Sequence, residues 1–338
     1  MVTIKDVANS AHVSATTVSL IINGKAEERR ISPTTCERVL NIMKELGYQP
    51  NLSARRLRSN DTLHPIIAFY WPMDYRTNIL ASFLSSFQEI IRELAFDCEL
   101  VVQTYENNAL EKHSDGIIKN SYHAVIVGGA SSQDIAYLET LKPQIPLVLI
   151  NRSSEKYSTV SVDTAEMGLL AARLFRQKGY TTAAILTSKS PYLATGQRTQ
   201  AFLNACAQIG INIEFSNIIR VENTMEGGVL GANLYCGLPD APKAIFCDSD
   251  SMALGALYAF HQHGLSLPQD VELLAIGFLD AETTMYSIPP ISVVSMPNKL
   301  VMEEAIRQII KSLTASVSEP IHTLIEPKVV LRETFKPA

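Results

Sequence analysis

Paired cysteines, glycine-rich phosphate loops and long apolar runs are all missing from this 338-residue sequence. Its five cysteines, Cys36, Cys98, Cys206, Cys236 and Cys247, are odd in number, scattered and without a CxxC pair, so buried free thiols are expected in place of disulfides or a thiolate metal site. His261 and His263 are two apart, on different sides of any helix, and no Cys or carboxylate completes a metal site with them. GxGxxG and GxxxxGKS/T are absent, Gly128-Gly129 notwithstanding, which argues against a nucleotide cofactor. No GxSxG elbow is present and no nucleophile, base and orienter assemble from motifs, so neither an enzyme nor any cofactor is expected. No segment approaches a membrane span, MVTIKDVANS has no apolar run behind positive charge, and the ending RETFKPA carries no leucine heptad. The expectation is a cytoplasmic protein with no membrane contact and no tail-built tetramer.

Charge is sparse as well: 19% Asp, Glu, Lys and Arg against 46% hydrophobic residues, the balance of a folded chain long enough for more than one domain. A net charge of -5 argues against a protein coated in nucleic acid, but the charge is unevenly spread. Residues 1–60 hold nine Lys and Arg against five Asp and Glu, or +4, which leaves -9 for the remaining 278. A small basic head on an acidic body can meet phosphates while the body is repelled from them.

What is present starts with TIKDVANSAHVSATTVSLIING, residues 3–24. Ile4, Val7, Ala8 and Ala11 fall on one helical face, and Val13, Val18, Ile21 and Ile22 supply a second apolar set. Thr3 followed by Asp6, and Ser14 followed by Thr17, suit the starts of two short helices, with Ala11-His12-Val13 leaving only a tight turn between them. A helix-turn-helix of this kind lays its second helix in the DNA major groove and offers residues near its N-terminus to base edges. Thr3, Ser14, Ala15, Thr16, Thr17, Ser19, Leu20 and Asn23 are the candidate DNA contacts, with Ala15, Thr16 and Leu20 as exposed readers and Thr17 and Ser19 bonding phosphate or base. An αα-hairpin that binds no nucleic acid has the same local pattern.

Ser32-Pro33 opens a third helix that Gly47 stops, with Cys36, Val39, Ile42, Met43 and Leu46 as its apolar face. Residues 1–50 therefore read as a three-helix DNA-binding head, and residues 51–64 as hinge and linker. Arg55, Arg56 and Arg58 crowd around Leu57 in a segment too short for a stable isolated helix. It is either a solvated basic linker or a hinge helix that folds on DNA, with Ala54, Arg55, Leu57 and Arg58 as contacts and Leu57 wedged between base pairs of the minor groove.

From Pro65, short apolar runs alternate with amphipathic stretches. The runs are IIAFYW (66–71), CELVVQ (98–103), HAVIVGG (123–129), PLVLIN (146–151), TAAILT (182–187), AIFC (244–247) and ELLAIGF (272–278); the stretches include Ile79–Leu94, Glu166–Gln177, Thr199–Ile209 and Met252–His263. This alternation means an α/β class, parallel sheets covered by helices on both faces. Residues 65–338 are long for one such unit, so two doubly wound lobes are expected: lobe 1 over about 65–161 plus 291–320, lobe 2 over about 162–290 plus 321–338. A cleft between them, at the C-terminal ends of the strands, is where a small ligand would bind.

With head, hinge and two-lobed body in place, the chain resembles the LacI/GalR family of transcription regulators from end to end. TIKDVANSAHVSATTVSLIING, ISPTTCERVLNIMKELGYQPN and SARRLRS carry the likeness in head and hinge. In the body it rests on VLINR (148–152), SVDTAEMG (161–168), GQRTQAF (196–202), DSMALGA (250–256), IGFLD (276–280) and IPPISVV (288–294). The resemblance implies a homodimeric repressor reading near-palindromic double-stranded operator DNA, with paired hinge helices and Leu57 as the intercalating leucine. It also implies periplasmic-binding-protein-like lobes that hold a small-molecule effector, a sugar or glycoside, and alter hinge spacing on closure. The dimer surface would run along the body through Ile90, Ile91, Leu94 and the apolar 244–260 region. A periplasmic-type binding protein, or an α/β enzyme with an accessory DNA-binding head, are the competing readings.

Effector contacts are implied at Tyr70, Trp71, Asp74 and Asn78 past the first strand, with Tyr75 and Arg76 beside them, and at Gly129 after the third. Further along they are implied at Arg198, Asn223, Ser249, Asp250, Leu279 and Met296. Trp71, the only tryptophan, suits stacking on a sugar ring as well as it suits ordinary core. Arg198 matches an arginine that clamps effector oxygens, its planar fork suiting hydroxyls or a carboxylate; a structural ion pair is its other reading. Five departures from the family pattern matter. His12 stands where a turn glycine or asparagine is common, which suits a left-handed backbone. Leu20 replaces a base-reading arginine or histidine; it cannot hydrogen-bond a guanine edge but can touch a thymine methyl. Leu279 replaces the first aspartate of a GFDD-like motif, and Met296 and Asn223 replace a glutamine and an aromatic, so the pocket is less suited to a fully hydroxylated monosaccharide.

Leu57→Ala is expected to weaken operator binding by about tenfold or more, because the wedge is lost, and to leave ligand binding in the body unchanged. Equal operator affinity of mutant and parent in gel shifts removes the wedge assignment.

Overall fold

The structure is a computed structural model, and it describes residues 4–22, 26, 29–46, 64–73, 77–189, 193–277, 281–315 and 319–337. In the head, α1 (Ile4–Ser10), α2 (Ala15–Ile22) and α3 (Pro33–Glu45) close around Val7, Ala8, Ala11, Val18, Ile21 and Val39. α3 begins as its sequence signals: the Thr35 amide donates to Ser32 Oγ at 3.2 Å, and Pro33 occupies the first turn, where its missing N–H leaves no helical bond unmade. The expected hinge and linker at 51–64 lies outside the described residues except for His64.

The body contains two sheets. The first half supplies β1 (Ile66–Pro72), α4 (Thr77–Glu93), β2 (Glu99–Tyr105), α5 (Asp115–Ile118), β3 (Ala124–Gly128), α6 (Ser132–Thr140), β4 (Leu147–Ile150) and β5 (Ser158–Val162). The second supplies α7 (Thr164–Gln177), β6 (Ala184–Ser188), α8 (Leu193–Ile209), β7 (Ile218–Val221), α9 (Met225–Cys236), β8 (Ala244–Cys247), α10 (Asp250–Gln262), β9 (Glu272–Gly277), α11 (Ala281–Met285) and β10 (Ser292–Ser295). α12 (Asn298–Thr314), β11 (His322–Ile325) and β12 (Lys328–Val330) follow. One sheet runs β11-β5-β4-β3-β1-β2, all parallel; the other runs β12-β10-β9-β8-β6-β7, parallel except where β12 meets β10. Every residue of β1 is buried, as both faces of a central parallel strand are covered.

The sequence expectation assigned 291–320 to the first lobe and 321–338 to the second, and two strands correct it. β10 pairs with β9, Val294 opposite Ile276, so it stays in the second sheet, while β11 pairs with β5, Leu324 opposite Ser161, in the first. Only α12 between them goes as expected, packing against α4 and β3 to β5. A four-residue apolar strand has no period that names its sheet; the open edge available to it decides.

The pleat of the second sheet divides its side chains cleanly. Ile185, Phe246, Leu274, Ile276 and Val294 join the core that includes α7 and α8, while Ala184, Leu186, Ile245, Cys247, Leu273, Ala275 and Val293 join the one under α9 and α10. All five cysteines are free; Cys206 and Cys247 are buried, whereas Cys36, Cys98 and Cys236 are only half-buried. Among the described residues no helix is long and apolar enough to cross a membrane.

α9 and α10 approach so closely that side chains are excluded between them. A Cβ on Gly255 would lie 1.9 Å from the Met225 carbonyl oxygen, and one on Gly228 2.0 Å from that of Met252. Gly255→Ala is therefore expected to destabilise the body by about 1–3 kcal/mol and to lower its thermal midpoint by roughly 2–10 °C. Gly237→Ala, whose nearest new neighbour is 3.4 Å away, should change the midpoint little in the same melting experiment.

Candidate functional site

In the head, the turn between α1 and α2 closes on itself. The Val13 amide donates to the Ala8 carbonyl at 3.0 Å and the His12 amide to that of Asn9 at 3.2 Å, with His12 left-handed at φ 51°. This is a Schellman closure in which histidine stands where glycine is usual. Ser14 then caps α2: its Oγ accepts the Thr17 amide at 3.0 Å and lies 2.8 Å from the Thr17 hydroxyl. Val18 and Ile21 point into the head core, which leaves Thr16 exposed and Ala15, Thr17, Ser19 and Leu20 half-buried around the rest of the helix. Ala15 leans on the core, so Thr16, Ser19 and Leu20 offer the larger accessible groups. Thr3, Asn23, Ala54, Arg55, Leu57 and Arg58 lie outside the described residues.

In the first sheet, Tyr70 is fully buried and donates its hydroxyl to the His113 carbonyl at 3.1 Å. Trp71 is 3% exposed, its ring centroid 5.6 Å from that of Phe69. Gly128 makes room for it, since a Cβ there would come within 2.6 Å of the indole. Of the two readings of Trp71, this environment is that of core. Gly129 is buried, with φ 68°, between β3 and α6. Asn78 falls in the first turn of α4, its side chain outside the description, and Asp74, Tyr75 and Arg76 lie outside the described residues.

The second sheet brings several polar groups together at its C-terminal edge. Arg198 on α8 is 4% exposed, with Nη1 3.8 Å from the sulfur of buried Met296, just past β10. Beside it stands Asp248, fully buried, which sequence reasoning missed. Its Oδ2 accepts the Thr187 hydroxyl, the Thr199 hydroxyl at 2.9 Å and the Ser188 amide at 3.2 Å. Burial pushes the Asp248 carboxyl above the usual carboxylate value, while the Thr187 bond, the Arg198 charge and the bonds from Thr199 and Ser188 pull it back. The signal for it was the pleat: Phe246 faces α8 and stacks on Phe202 at 4.0 Å, and a residue two further on must share that face.

Ser249 is buried and caps α10, its Oγ accepting the Ser251 amide at 3.2 Å, and Asp250 is fully buried in the first turn. Asn223 is half-buried after β7, and Leu279 lies outside the described residues. The structure thus joins Arg198 and Met296 and adds Asp248, Thr187 and Thr199 to them.

Residues 3–51 match the model of bacterial regulatory proteins of the lacI family, and residues 172–335 that of a periplasmic binding protein-like domain. A crystal structure of a LacI family transcription regulator from Clostridium acetobutylicum is 35% identical, with a TM-score of 0.76 over 80% of this chain and 100% of that one. The chain belongs to the LacI family. LacI-family relatives of nearly equal length include the transcriptional repressor PurR of Photobacterium profundum, 28% identical over 353 aligned positions, and the ribose operon repressor of Haemophilus influenzae, 28% over 345. Both alignments span 99% of this chain and 99% of the relative. As a LacI-family member the chain is a DNA-binding transcriptional regulator with a periplasmic-binding-protein-like body.

The left-handed turn carries its own test. His12→Val is expected to destabilise the head by about 1–2 kcal/mol, because a branched side chain clashes there, whereas His12→Gly should be neutral or stabilising. Hydrogen exchange of the α1 and α2 amides in the full chain measures both.

Proposed function

We propose that this chain is an operator-binding repressor, acting in the cytoplasm as a homodimer, whose DNA affinity is set by a small molecule held at the facing edges of its two sheets. The observation that carries this reading is the union in one chain of a capped helix-turn-helix and a body with the buried guanidinium of Arg198 at a C-terminal strand edge. Thr16, Ser19 and Leu20 read bases, with Leu20 selecting an apolar thymine edge. Arg198 holds the ligand's oxygens. The ligand is a sugar or glycoside, a class consistent with the name of the ribose operon repressor among the relatives. It acts only if it binds one arrangement of the protein more tightly than the other.

The dimer reading is supported by apolar side chains with no internal role. Leu230 on α9 is 54% exposed and Tyr258 on α10 is 61% exposed, with Met225 and Leu234 also exposed on α9. Of the interface residues expected from sequence, Ile90 belongs to the core and half-buried Ile91 packs against it, Leu94 is exposed, and the apolar residues of 244–260 are buried apart from half-buried Leu254 and exposed Tyr258.

The test pairs two measurements on the purified chain. Operator affinity in gel shifts should fall steeply with salt, as phosphate neutralisation requires, and a thermal-shift screen of sugars, glycosides, sugar phosphates and nucleobases should raise the melting midpoint with a sugar or glycoside. Arg198→Ala should lose that ligand response by about 10–100-fold in affinity while keeping its operator binding. A normal response in that variant removes Arg198 from the ligand site, and salt-independent or absent DNA binding removes the repressor reading.

A further inference from the structure

The second sheet holds a carboxylate beside the guanidinium. Thr187 is the last residue but one of β6 and Asp248 follows β8, two strands that are direct neighbours, Leu186 standing opposite Cys247. The same pleat that sends Ile185 and Phe246 to α8 sends Thr187 and Asp248 there, one step nearer the C-terminal edge. On α8, Thr199 reaches down to Asp248 Oδ2 and Arg198 is its chain neighbour, so the carboxylate is held where it meets the arginine's charge. Three donors converge on Oδ2. Oδ1, equally buried, has no hydrogen-bond partner among the described residues. A carboxylate oxygen out of water without a donor is unfavourable by about 1–3 kcal/mol, and a ligand that brings one recovers it.

We infer that Asp248 is the residue that sets the charge class of the effector: it cancels the Arg198 charge and accepts a ligand hydroxyl at Oδ1, so that the site takes uncharged polyols and rejects sugar acids and phosphates. This rests on the reading of Arg198 as a ligand contact and deepens it. The position where the family pattern has an acidic acceptor is Leu279 here, and Asp248 supplies a carboxylate from the neighbouring strand β8 instead of from the end of β9. An arginine alone would clamp an anion bidentately. An arginine with a buried carboxylate beside it presents a neutral pair, which offers an anion no net attraction to offset its desolvation.

The probes are matched pairs: glucose with glucuronate, galactose with galacturonate, ribose with ribose 5-phosphate, together with cellobiose and inorganic sulfate. Thermal shifts and titration calorimetry on the full chain should find binding to at least one neutral probe and none to its charged partner or to sulfate. In Asp248→Asn the neutral probe should weaken about tenfold, while the charged partner and sulfate now bind; adding Arg198→Ala should abolish that anion binding. Asp248→Ser, smaller and equally uncharged, carries the same expectation if the asparagine variant does not fold. Sulfate behaving identically in parent and Asp248 variants overturns the inference even if no sugar in the panel binds. Neutral probes that bind parent and variant alike leave the carbohydrate reading standing and remove Asp248 from it. A parent that takes only the charged members sinks both.

Discussion

The chain passes between its two sheets three times, after Val162, after Ser295 and after Ile325, and each time it leaves from the C-terminal end of a parallel strand. Most of the body's chemistry follows from that constraint. Parallel strands cannot be joined by tight turns, so each sheet keeps its strand starts at one edge and its strand ends at the other. The crossings make the strand ends the edges that share the linkers, and any movement of one sheet against the other is confined to those few residues. Residues at strand ends border the open edge of the sheet, where their side chains become available for ligands. Thr187, Asp248 and Met296 occupy that rank in the second sheet, and α8 lays Arg198 and Thr199 over it.

The head is built under the opposite economy. Among the described residues its core comprises six fully or nearly fully buried apolar side chains, from Val7 to Val39, and a unit that small has little hydrophobic stabilisation to spare. Local devices therefore weigh heavily. The caps at Ser14 and Ser32, each contributing about 1 kcal/mol, and the closure of the turn through Ala8 and Asn9 are large shares of what such a core supplies. The same residues that stabilise α2 also fix the angle at which Thr16, Ser19 and Leu20 emerge, so stability and DNA reading cannot be adjusted separately here.

The head was legible because its determinants are local. Cap spacing, a 3.6-residue apolar period and a turn of three residues all lie within one short window, whereas the left-handed His12 was expected from the turn glycine or asparagine common at that position of the family pattern. The two-lobed body was legible as alternation, yet the sheet to which β10 and β11 belong was not, because the choice is made by distant edges and not by four apolar residues. Trp71 stayed ambiguous for a similar reason: its core role depends on Phe69 and on the absence of a side chain at Gly128, which is distant in sequence. Asp248 was overlooked altogether. Its partners Thr187 and Thr199 are 61 and 49 residues away, and nothing in AIFCDSD distinguishes a carboxylate that turns inward from the capping Ser249 and the helical Asp250 that follow it.

Stability alone gives a poor account of Asp248. Burying a carboxylate is unfavourable by several kcal/mol even after relaxation, and three hydrogen bonds with a nearby arginine offset that without leaving a clear surplus. Well-packed apolar residues at Thr187, Thr199 and Asp248 would extend the layer of Ile185, Phe202 and Phe246 at no such cost. The burial is also uneven: Oδ2 accepts three donors, while Oδ1 has none among the described residues. A polar cluster with one acceptor unfilled among the described residues, beside a guanidinium at a strand-end edge, is better explained by what it recognises than by what it stabilises. That distinction bears on regulation as well. A hydroxyl meeting Oδ1 contributes to switching only if groups from the first sheet complete the ligand's shell in one arrangement of the body and not in the other, because equal affinity for both would shift nothing.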